Sequence, residues 1–233
     1  LKTLFYGENA DKAIDKIQYK EQSLIKLFEQ YNGGAGNTAL KSDANKSKVN
    51  LYIKPGIALS SASINFSEFS DANVKFENKI SPRISVELEY VLPFNKNKLA
   101  VFIEPTYQSY KQTGYNFTDN KAEINYSAIE LPIGIRYYMF INNNSKIFLE
   151  GVANIAELKT GDNTIRYAIP GTSSENIVDL KAKINFGVGI GYNFKNKYSI
   201  TLRQYAAKNL SENFQYLNLK YNNFSIMAAY NIF

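Results

Sequence analysis

The 233-residue sequence contains no histidine, no cysteine and no tryptophan. Without histidine, the chain cannot build a Ser-His-Asp or Cys-His nucleophile pair, or a zinc site of the H-E-x-x-H type. Without cysteine, it has neither disulfides nor thiolate metal sites. Carboxylate-only or lysine-based catalysis stays open, but the commonest catalytic machinery is missing. We therefore predict a protein that is not an enzyme and that holds no cofactor and no metal.

Long apolar runs are missing as well. No run approaches the roughly 18 apolar residues of a transmembrane helix, which excludes a helical membrane protein but not a transmembrane β-barrel. The net charge is +6, from 27 basic and 21 acidic residues, and no block of five or six like charges occurs. The sequence contains no basic stripe, so we predict no nucleic-acid partner. The start at Leu1 lacks signal-peptide features, so we expect a processed form or a part of a longer chain.

The first part of the chain, Leu1 to Lys48, predicts a helical segment followed by a polar linker. Its stretch "YKEQSLIKLFEQYN" has a helical period. One apolar face of this helix is formed by Leu24, Leu27, Phe28 and Tyr31. The face is typical of a short helix packed on a neighbouring domain, and the alternative is a helix that docks on a partner or a membrane surface.

From Val49 to Phe233 the apolar residues recur with a period of two, as in "ISVELEYVLPF" and "LKAKINFGVGIGYNF". This period predicts about eight strands, each near the 9–11 residues that cross a bilayer when tilted. The connections alternate in length. Short turns are predicted at Asn95 to Lys98, Asn142 to Lys146 and Lys195 to Lys197. Long loops are predicted at Ser61 to Lys79, Lys111 to Glu123, Glu157 to Asp179 and Ala206 to Gln215.

This alternation is typical of an outer-membrane barrel. We predict an all-β fold, an eight-stranded antiparallel up-and-down transmembrane β-barrel with a short N-terminal periplasmic α-helix. It would lie in the outer membrane of a Gram-negative bacterium, with the short turns periplasmic and the long loops extracellular. The alternative is a soluble lipocalin-like barrel with an apolar interior.

Two features favour the barrel in lipid. Amphipathic rings near the strand ends suggest an aromatic girdle at both membrane interfaces, formed by Tyr90, Phe94, Tyr137, Tyr192, Phe194, Tyr198 and Tyr230. The opposite face carries charges of both signs, which predicts an interior network of Lys54, Glu87, Glu89, Glu104, Glu130, Arg136, Glu150, Lys183 and Arg203. Interior salt bridges are favoured over a catalytic carboxylate pair, because buried charges are normally paired.

Three prolines speak against the barrel. Pro55, Pro105 and Pro132 lie inside predicted strands, where each removes a ladder hydrogen bond. We expect a bulge or a strand end at each of them.

The run "GVGIG" contains Gly187, Gly189 and Gly191 in strict alternation. A phosphate loop needs its glycines between a strand and a helix, whereas here another strand follows a short turn. We therefore predict no nucleotide partner, and glycines that face the lumen. Their missing side chains would leave room for large inward residues such as Tyr52, Tyr138 or Arg203.

Several motifs resemble the outer-membrane β-barrel proteins of Bacteroidota, a PorT-like group related in architecture to OmpA and OmpX. They are "LPFNKNK", "FIEPTYQSY", "IELPIGIRYYMFINNNSKIFLEG", "FGVGIGYNFKNKYSI" and "AAYNIF", and the resemblance covers roughly Lys48 to Phe233. It implies contact with membrane lipids and lipopolysaccharide, and other outer-membrane proteins as partners. Phe233 fits the terminal aromatic residue that the barrel-insertion machinery reads in such proteins.

The function that this resemblance implies is an accessory or structural subunit of a larger complex for protein secretion, outer-membrane protein insertion or nutrient uptake. The alternative is a stand-alone, OmpX-like surface barrel whose long loops bind an external partner.

Overall fold

A computed structural model describes residues 46–66, 73–116, 121–168, 175–180, 184–211 and 217–233. The predicted helix with its face of Leu24, Leu27, Phe28 and Tyr31 lies outside these residues, and so does Lys183. Within the described part of the chain, no helix is long and apolar enough to cross a membrane.

The described residues form thirteen strands, numbered in chain order, and one short 3-10 helix at Asn95–Asn97. The first seven strands are β1 (Lys48–Phe66), β2 (Val74–Lys75), β3 (Lys79–Val91), β4 (Leu99–Ile103), β5 (Thr106–Tyr115), β6 (Lys121–Asn142) and β7 (Ser145–Lys159). The other six are β8 (Thr164–Ala168), β9 (Glu175–Asp179), β10 (Asn185–Phe194), β11 (Tyr198–Tyr205), β12 (Lys208–Asn209) and β13 (Leu217–Asn231).

These strands build a closed antiparallel barrel. Going around it, β1 pairs with β3, then come β4 and β5, β6, β7, β10, β11 and β13, and β13 pairs back with β1. The strands β4 and β5 share one position, because both lie between β3 and β6. The barrel therefore has eight strand positions, as predicted, and the pairing of β13 with β1 closes it.

The three predicted short turns are confirmed. They are the 3-10 helix between β3 and β4, the two-residue turn between β6 and β7, and the turn between β10 and β11. Two of these turns need a left-handed backbone, with positive φ at Asn95, Lys96, Asn97, Lys195 and Asn196. Asparagine adopts this conformation more readily than most residues, which explains its abundance in the turns.

The predicted long loops are wrong over much of their length. Strand β1 runs 19 residues to Phe66, and β6 runs 22 residues from Lys121. Strand β5 reaches Tyr115, and the β8–β9 hairpin fills part of the predicted loop before Asp179. Strands β1, β3, β6, β7 and β13 therefore continue past the 9–11 residues that a bilayer requires.

The extra length was missed because the polarity of the strands inverts along the barrel. On β1, the outward residues from Val49 to Leu59 are almost all apolar, whereas the next outward residues are Ser61, Ser63 and Asn65. The inward residues change in the opposite sense, from the polar Lys54 and Ser60 to the apolar Ala62 and Ile64. The same inversion occurs on β6 near Ser127 and on β13 near Asn222.

We call the part with apolar outward residues the membrane tier, and the part toward the long connections the outer tier. On β1 the membrane tier covers Val49 to Leu59. Ten residue steps of ~3.3 Å, tilted by ~40°, span ~25 Å. This is the height of the apolar band of a transmembrane barrel.

Two of the three proline predictions are confirmed and one is wrong. Pro105 separates β4 from β5, and Pro132 accompanies a register shift between β6 and β7. Pro55 instead lies inside β1 with unbroken register against Ile84 on β3. Its ring faces outward, and β1 accommodates a single missing ladder hydrogen bond without bulging.

Candidate functional site

The interior of the membrane tier holds a closed ring of six alternating charges, which we call the ion-pair ring. Its members are Lys54, Glu87, Arg136, Glu150, Arg203 and Glu104, in order around the ring. The six N–O distances, taken in the same order, are 2.6, 2.8, 2.8, 2.7, 2.8 and 2.6 Å. Each residue is at most 5% exposed, so the charges neutralise one another almost without water.

The ring forms because the strand register places inward charges at similar depth on five strands and at the β4–β5 junction. For example, Arg136 on β6 faces Glu150 on β7, whereas Lys54 on β1 faces Ser85 and reaches Glu87 two residues further along β3. The alternating sign arises across the lumen and not from strand order, because Glu104 at the β4–β5 junction pairs with Lys54 of β1 and Arg203 of β11. Among the described residues, no cluster of three acidic side chains could hold a metal ion.

Arg136 has the most contacts of the ring. Its guanidinium donates to Glu87, Glu89 and Glu150, with Nη1 2.7 Å from Oε1 of Glu89. The same group lies 4.6 Å from the ring centroid of Phe102 and 4.4 Å from that of Phe148. Both distances lie within the range of a cation–π contact, about 6 Å.

The glycines of β10 provide the space that the ring needs. A Cβ at Gly189 would lie 2.7 Å from Oε1 of Glu150, a ring member. A Cβ at Gly191 would lie 2.1 Å from Cζ of Phe148, and one at Gly187 2.8 Å from Cδ1 of Tyr205. The residues that use this space thus come from β7 and β11, the direct neighbours of β10. Of the residues named from the sequence, Tyr52 and Tyr138 lie on β1 and β6, which do not pair with β10.

The remaining charges of the interior divide into two groups. Glu130 lies apart from the ring and accepts from Nζ of Lys208 at 2.7 Å, and Lys208 also pairs with Glu157. The hydroxyl of Tyr126, which accepts from Nζ of Lys208, lies 3.1 Å from Oε1 of Glu130 and 2.9 Å from Oε2 of Glu157 and shares its one proton between these carboxylates. Arg83 is 2% exposed and donates to Oε1 of Gln108 at 2.7 Å.

Sequence reasoning did not find Arg83, Lys208 and Lys146. Arg83 shares the parity of Glu87 on β3, so the period of two could have included it had the strand been started earlier. Lys208 lies in a predicted loop, and Lys146, whose Nζ is 3.7 Å from the ring centroid of Tyr138, lies in a predicted turn. Neither carries a signal in the sequence.

The interior of the outer tier is apolar, and we call it the outer core. Its fully buried members include Ile64, Ile124, Ile165, Leu180, Leu210 and Leu219. Tyr221 links it to the polar interior, because its ring packs 5.5 Å from that of Tyr110 and its hydroxyl lies 2.7 Å from Oγ of Ser60. Between the two regions, a cavity of 10 Å³ beside Glu130 and Tyr221 is too small for more than one water molecule.

The lipid-facing wall of the membrane tier has a depression at β7. Gly151 and Ala153 are the small outward residues at its floor, and Ile133, Ile135 and Phe186 stand around it. The depression has a volume of about 510 Å³. A Cβ at Gly151 would meet only Cγ1 of Ile135, at 4.0 Å, so packing within this chain does not require glycine there.

A second depression lies on the outside of the outer tier. This groove has a volume of about 520 Å³ and mixed charge, with Lys79, Lys111 and Arg166 beside Glu123 and Asp162. Lys121 forms an ion pair with Glu123 and lowers the pKa of that exposed carboxyl.

The seven aromatic residues predicted for the girdle lie on the outer surface, each at least 38% exposed. All seven lie toward the short-turn end of the barrel, so their predicted distribution over both interfaces is wrong. Tyr198 and Tyr230 face each other across β11 and β13, with ring centroids 5.6 Å apart. Phe233 lies two residues past the end of β13 and is 66% exposed.

Comparison with known families and structures gives one family match. The model of the "Outer membrane protein beta-barrel domain" matches residues 37–231. A comparison with curated protein sequences finds no significant match.

Several solved structures are similar in fold. Neisserial surface protein A is 14% identical and covers 78% of this chain and 98% of its own, with a TM-score of 0.40. The outer membrane protein OprG from Pseudomonas aeruginosa is 12% identical, with coverages of 81% and 98% and a TM-score of 0.46. The attachment invasion locus protein Ail of Yersinia pestis, solved with the heparin analogue sucrose octasulfate, is 11% identical, with coverages of 78% and 99% and a TM-score of 0.39.

Proposed function

Because this chain belongs to the outer membrane protein β-barrel family, we propose that it is a non-enzymatic accessory subunit of a larger outer-membrane assembly. The assembly would serve protein secretion, outer-membrane protein insertion or nutrient uptake, and the chain would be of the PorT-like type of Bacteroidota. Its short turns and N-terminal segment would be periplasmic, and its long connections extracellular. Other outer-membrane proteins, membrane lipids and lipopolysaccharide would be its partners.

The filled interior supports a role that is carried by the outer surfaces. The ion-pair ring and the outer core occupy successive levels of the barrel, which leaves little space for a solute path. The ring carboxylates Glu87, Glu104 and Glu150 are each paired with two cations and are closed to solvent. A general acid or base must reach its substrate, so these side chains are poorly placed for catalysis.

The observation that carries the accessory role is the depression at β7. Gly151 and Ala153 leave a recess among the large apolar residues Ile133, Ile135 and Phe186, although the chain's own packing leaves room for a larger side chain at Gly151. Close packing against a complementary membrane-embedded surface is stabilised by dispersion contacts, and these need such a recess.

The test is purification from native membranes in mild detergent, with mass spectrometry of the proteins that accompany the chain. We expect a stable complex with the wild type, and its loss with the recess-filling pair Gly151→Leu and Ala153→Leu. The matched control is Ala228→Leu, a small outward residue on β13 at the other side of the wall. A monomer under all conditions, or equal retention by both variants, would contradict the accessory role.

A second candidate function is a stand-alone surface barrel that binds an external partner. It is favoured by the charged groove of the outer tier, where Lys79, Lys111 and Arg166 meet. The test is binding of the purified barrel to whole cells or to secreted components. Loss of this binding with Lys111→Ala and Arg166→Ala, but not with the recess-filling pair, would support this function instead.

A further inference from the structure

The short-turn end of the barrel gathers lysines from distant parts of the sequence. Five of them lie at the surface of this end, which we call the lysine rim: Lys48, Lys96, Lys98, Lys195 and Lys197. They come from the start of β1 and from the turns after β3 and β10, about 50 to 100 residues apart. In the sequence they look scattered, and barrel closure brings them to one end.

Within the described part of the chain, no carboxylate side chain opposes the lysine rim. Across the described residues 46–49, 92–99, 141–147, 194–198 and 230–233, which make up this end, no aspartate or glutamate occurs. The nearest acidic side chain along β3 is Glu89, which is fully buried and bonded to Arg136 and Asn50.

The opposite end has a different charge balance. Its exposed lysines include Lys79, Lys111, Lys159 and Lys220. These share the outer tier with Glu77, Glu123, Asp162 and Asp179. Within the described part of the chain, the short-turn end thus combines lysines with no acidic residue, whereas the opposite end carries both signs.

The depth of the lysine rim relative to the apolar band indicates what it meets. Lys195 directly follows Phe194, the last residue of β10, and its Nζ lies 5.3 Å from that ring centroid. Lys197 directly precedes Tyr198, and its Nζ lies 5.2 Å from the ring centroid of Tyr230. Interfacial aromatic rings lie at the level of lipid headgroups, so ammonium groups in contact with them lie at the level of the phosphates.

We propose that the lysine rim binds the phosphate groups of anionic glycerophospholipids in the leaflet around the short turns. Ammonium groups near an anionic lipid surface are attracted to it, and the attraction falls off within a Debye length. The proposal goes beyond the accessory role and does not depend on it, because it concerns the lipids next to the wall and no protein partner.

The experiment measures lipid selectivity of the full chain reconstituted in phosphatidylcholine bilayers. Spin-labelled phosphatidylglycerol and spin-labelled phosphatidylcholine are compared by electron spin resonance, which reports the relative association constant of each at the protein surface. We expect the wild type to prefer phosphatidylglycerol by about two- to fivefold, and this preference to weaken in high salt.

The test variant carries Lys96→Gln, Lys98→Gln, Lys195→Gln and Lys197→Gln, and its preference should fall to nearly one. The matched control carries Lys79→Gln, Lys111→Gln, Lys159→Gln and Lys220→Gln at the other end, and it should keep most of the preference. Heat-modified migration in gels checks that each variant is folded. If the test variant fails to fold, two measurements still decide. The wild type should lose its preference in high salt, and the folded control variant should retain its preference in low salt.

An unchanged preference in the test variant would overturn the proposal and leave the lysine rim available for an acidic protein. An equal loss in both variants would also overturn it, because it would show an effect of total charge. A protein complex lost or retained in these variants has no bearing on the lipid preference, so the two proposals fail independently.

Discussion

The membrane tier and the outer tier use the same strands with opposite polarity. On β1 the inward residues Lys54 and Ser60 lie behind an apolar outer wall, whereas a few residues later Ile64 lies behind serines and asparagine. The backbone pairing continues through the change without a shift in register. The surroundings therefore decide which side of the strand is apolar: lipid outside the first tier, and water outside the second.

The two interiors also hold the barrel together in different ways. The membrane tier relies on charges that must be paired, since a single uncompensated charge in a dry interior is costly. The outer tier relies on apolar burial, which tolerates small changes in shape at a graded cost. Substitutions in each tier should separate these two modes.

Arg136→Met should have the largest effect. It leaves Glu87, Glu89 and Glu150 buried with one cation fewer, so we expect a loss of about 3–5 kcal/mol in the free energy of unfolding. Urea unfolding in lipid vesicles, followed by circular dichroism, measures this loss. The control Lys197→Met in an exposed turn should stay within about 0.5 kcal/mol. A loss below 1 kcal/mol for Arg136→Met would show that the ring is reached by water, which removes the contrast between the tiers.

Leu219→Ala tests the outer core. This side chain is fully buried, so its truncation should cost about 3 kcal/mol. Because the outer tier projects from the membrane, we expect faster cleavage there by an added protease while the membrane tier stays folded. Asn218→Ala, on the outward side of the same strand, is the control. Simultaneous unfolding of both tiers would show that they form one cooperative unit.

The outer wall allows a test on a single strand face. Ile53→Lys places a charge in the apolar band and should cost about 2–4 kcal/mol. Ser63→Lys, on the same face of β1 but in the outer tier, should change the stability by less than about 0.5 kcal/mol. Both free energies come from the same urea titrations. Equal costs at the two positions would contradict the boundary between the tiers.

The smallest effect is expected from the glycines of the membrane tier. In Gly191→Ala the new Cβ would lie 2.6 Å from the backbone oxygen of Ile200, which cannot move without distorting the sheet. We expect a loss of about 1–3 kcal/mol. Gly151→Ala adds the same methyl group to open space and should be neutral within about 0.5 kcal/mol. If the two variants were equally stable, β10 would not need glycine for packing.

The sequence predicts the membrane tier well because one period and one polarity hold throughout it. The inward positions of Lys54, Glu87 and Arg136 follow from simple alternation, and the tight turns follow from runs of asparagine and lysine. Their grouping into one ring does not follow, because it depends on the strand register and on the barrel radius. The arrangement of these charges across the interior depends on barrel closure, and the sequence of a single strand does not determine it.

The outer tier was missed for a different reason. Its outward positions carry serine, asparagine and lysine, which resemble the composition of a loop where a membrane strand would have apolar residues. Read with the opposite polarity, Ala62 and Ile64 on β1 continue the same alternation as Lys54 and Ser60. A reversal of polarity within an unbroken period of two is the signal that would have placed the membrane boundary.

The closed ion-pair ring has a consequence for the order of events during assembly. Lys54 lies on the first strand and Arg203 on the strand at the seventh position around the barrel. Glu104 forms an ion pair with each of them. While the seam between β1 and β13 is open, water can enter from the side and hydrate the six charges. Pairing of these two strands then dehydrates all six together, after a loop closure that spans most of the chain. Seam closure is therefore expected to be late, abrupt and slow, and to set the rate at which the barrel forms.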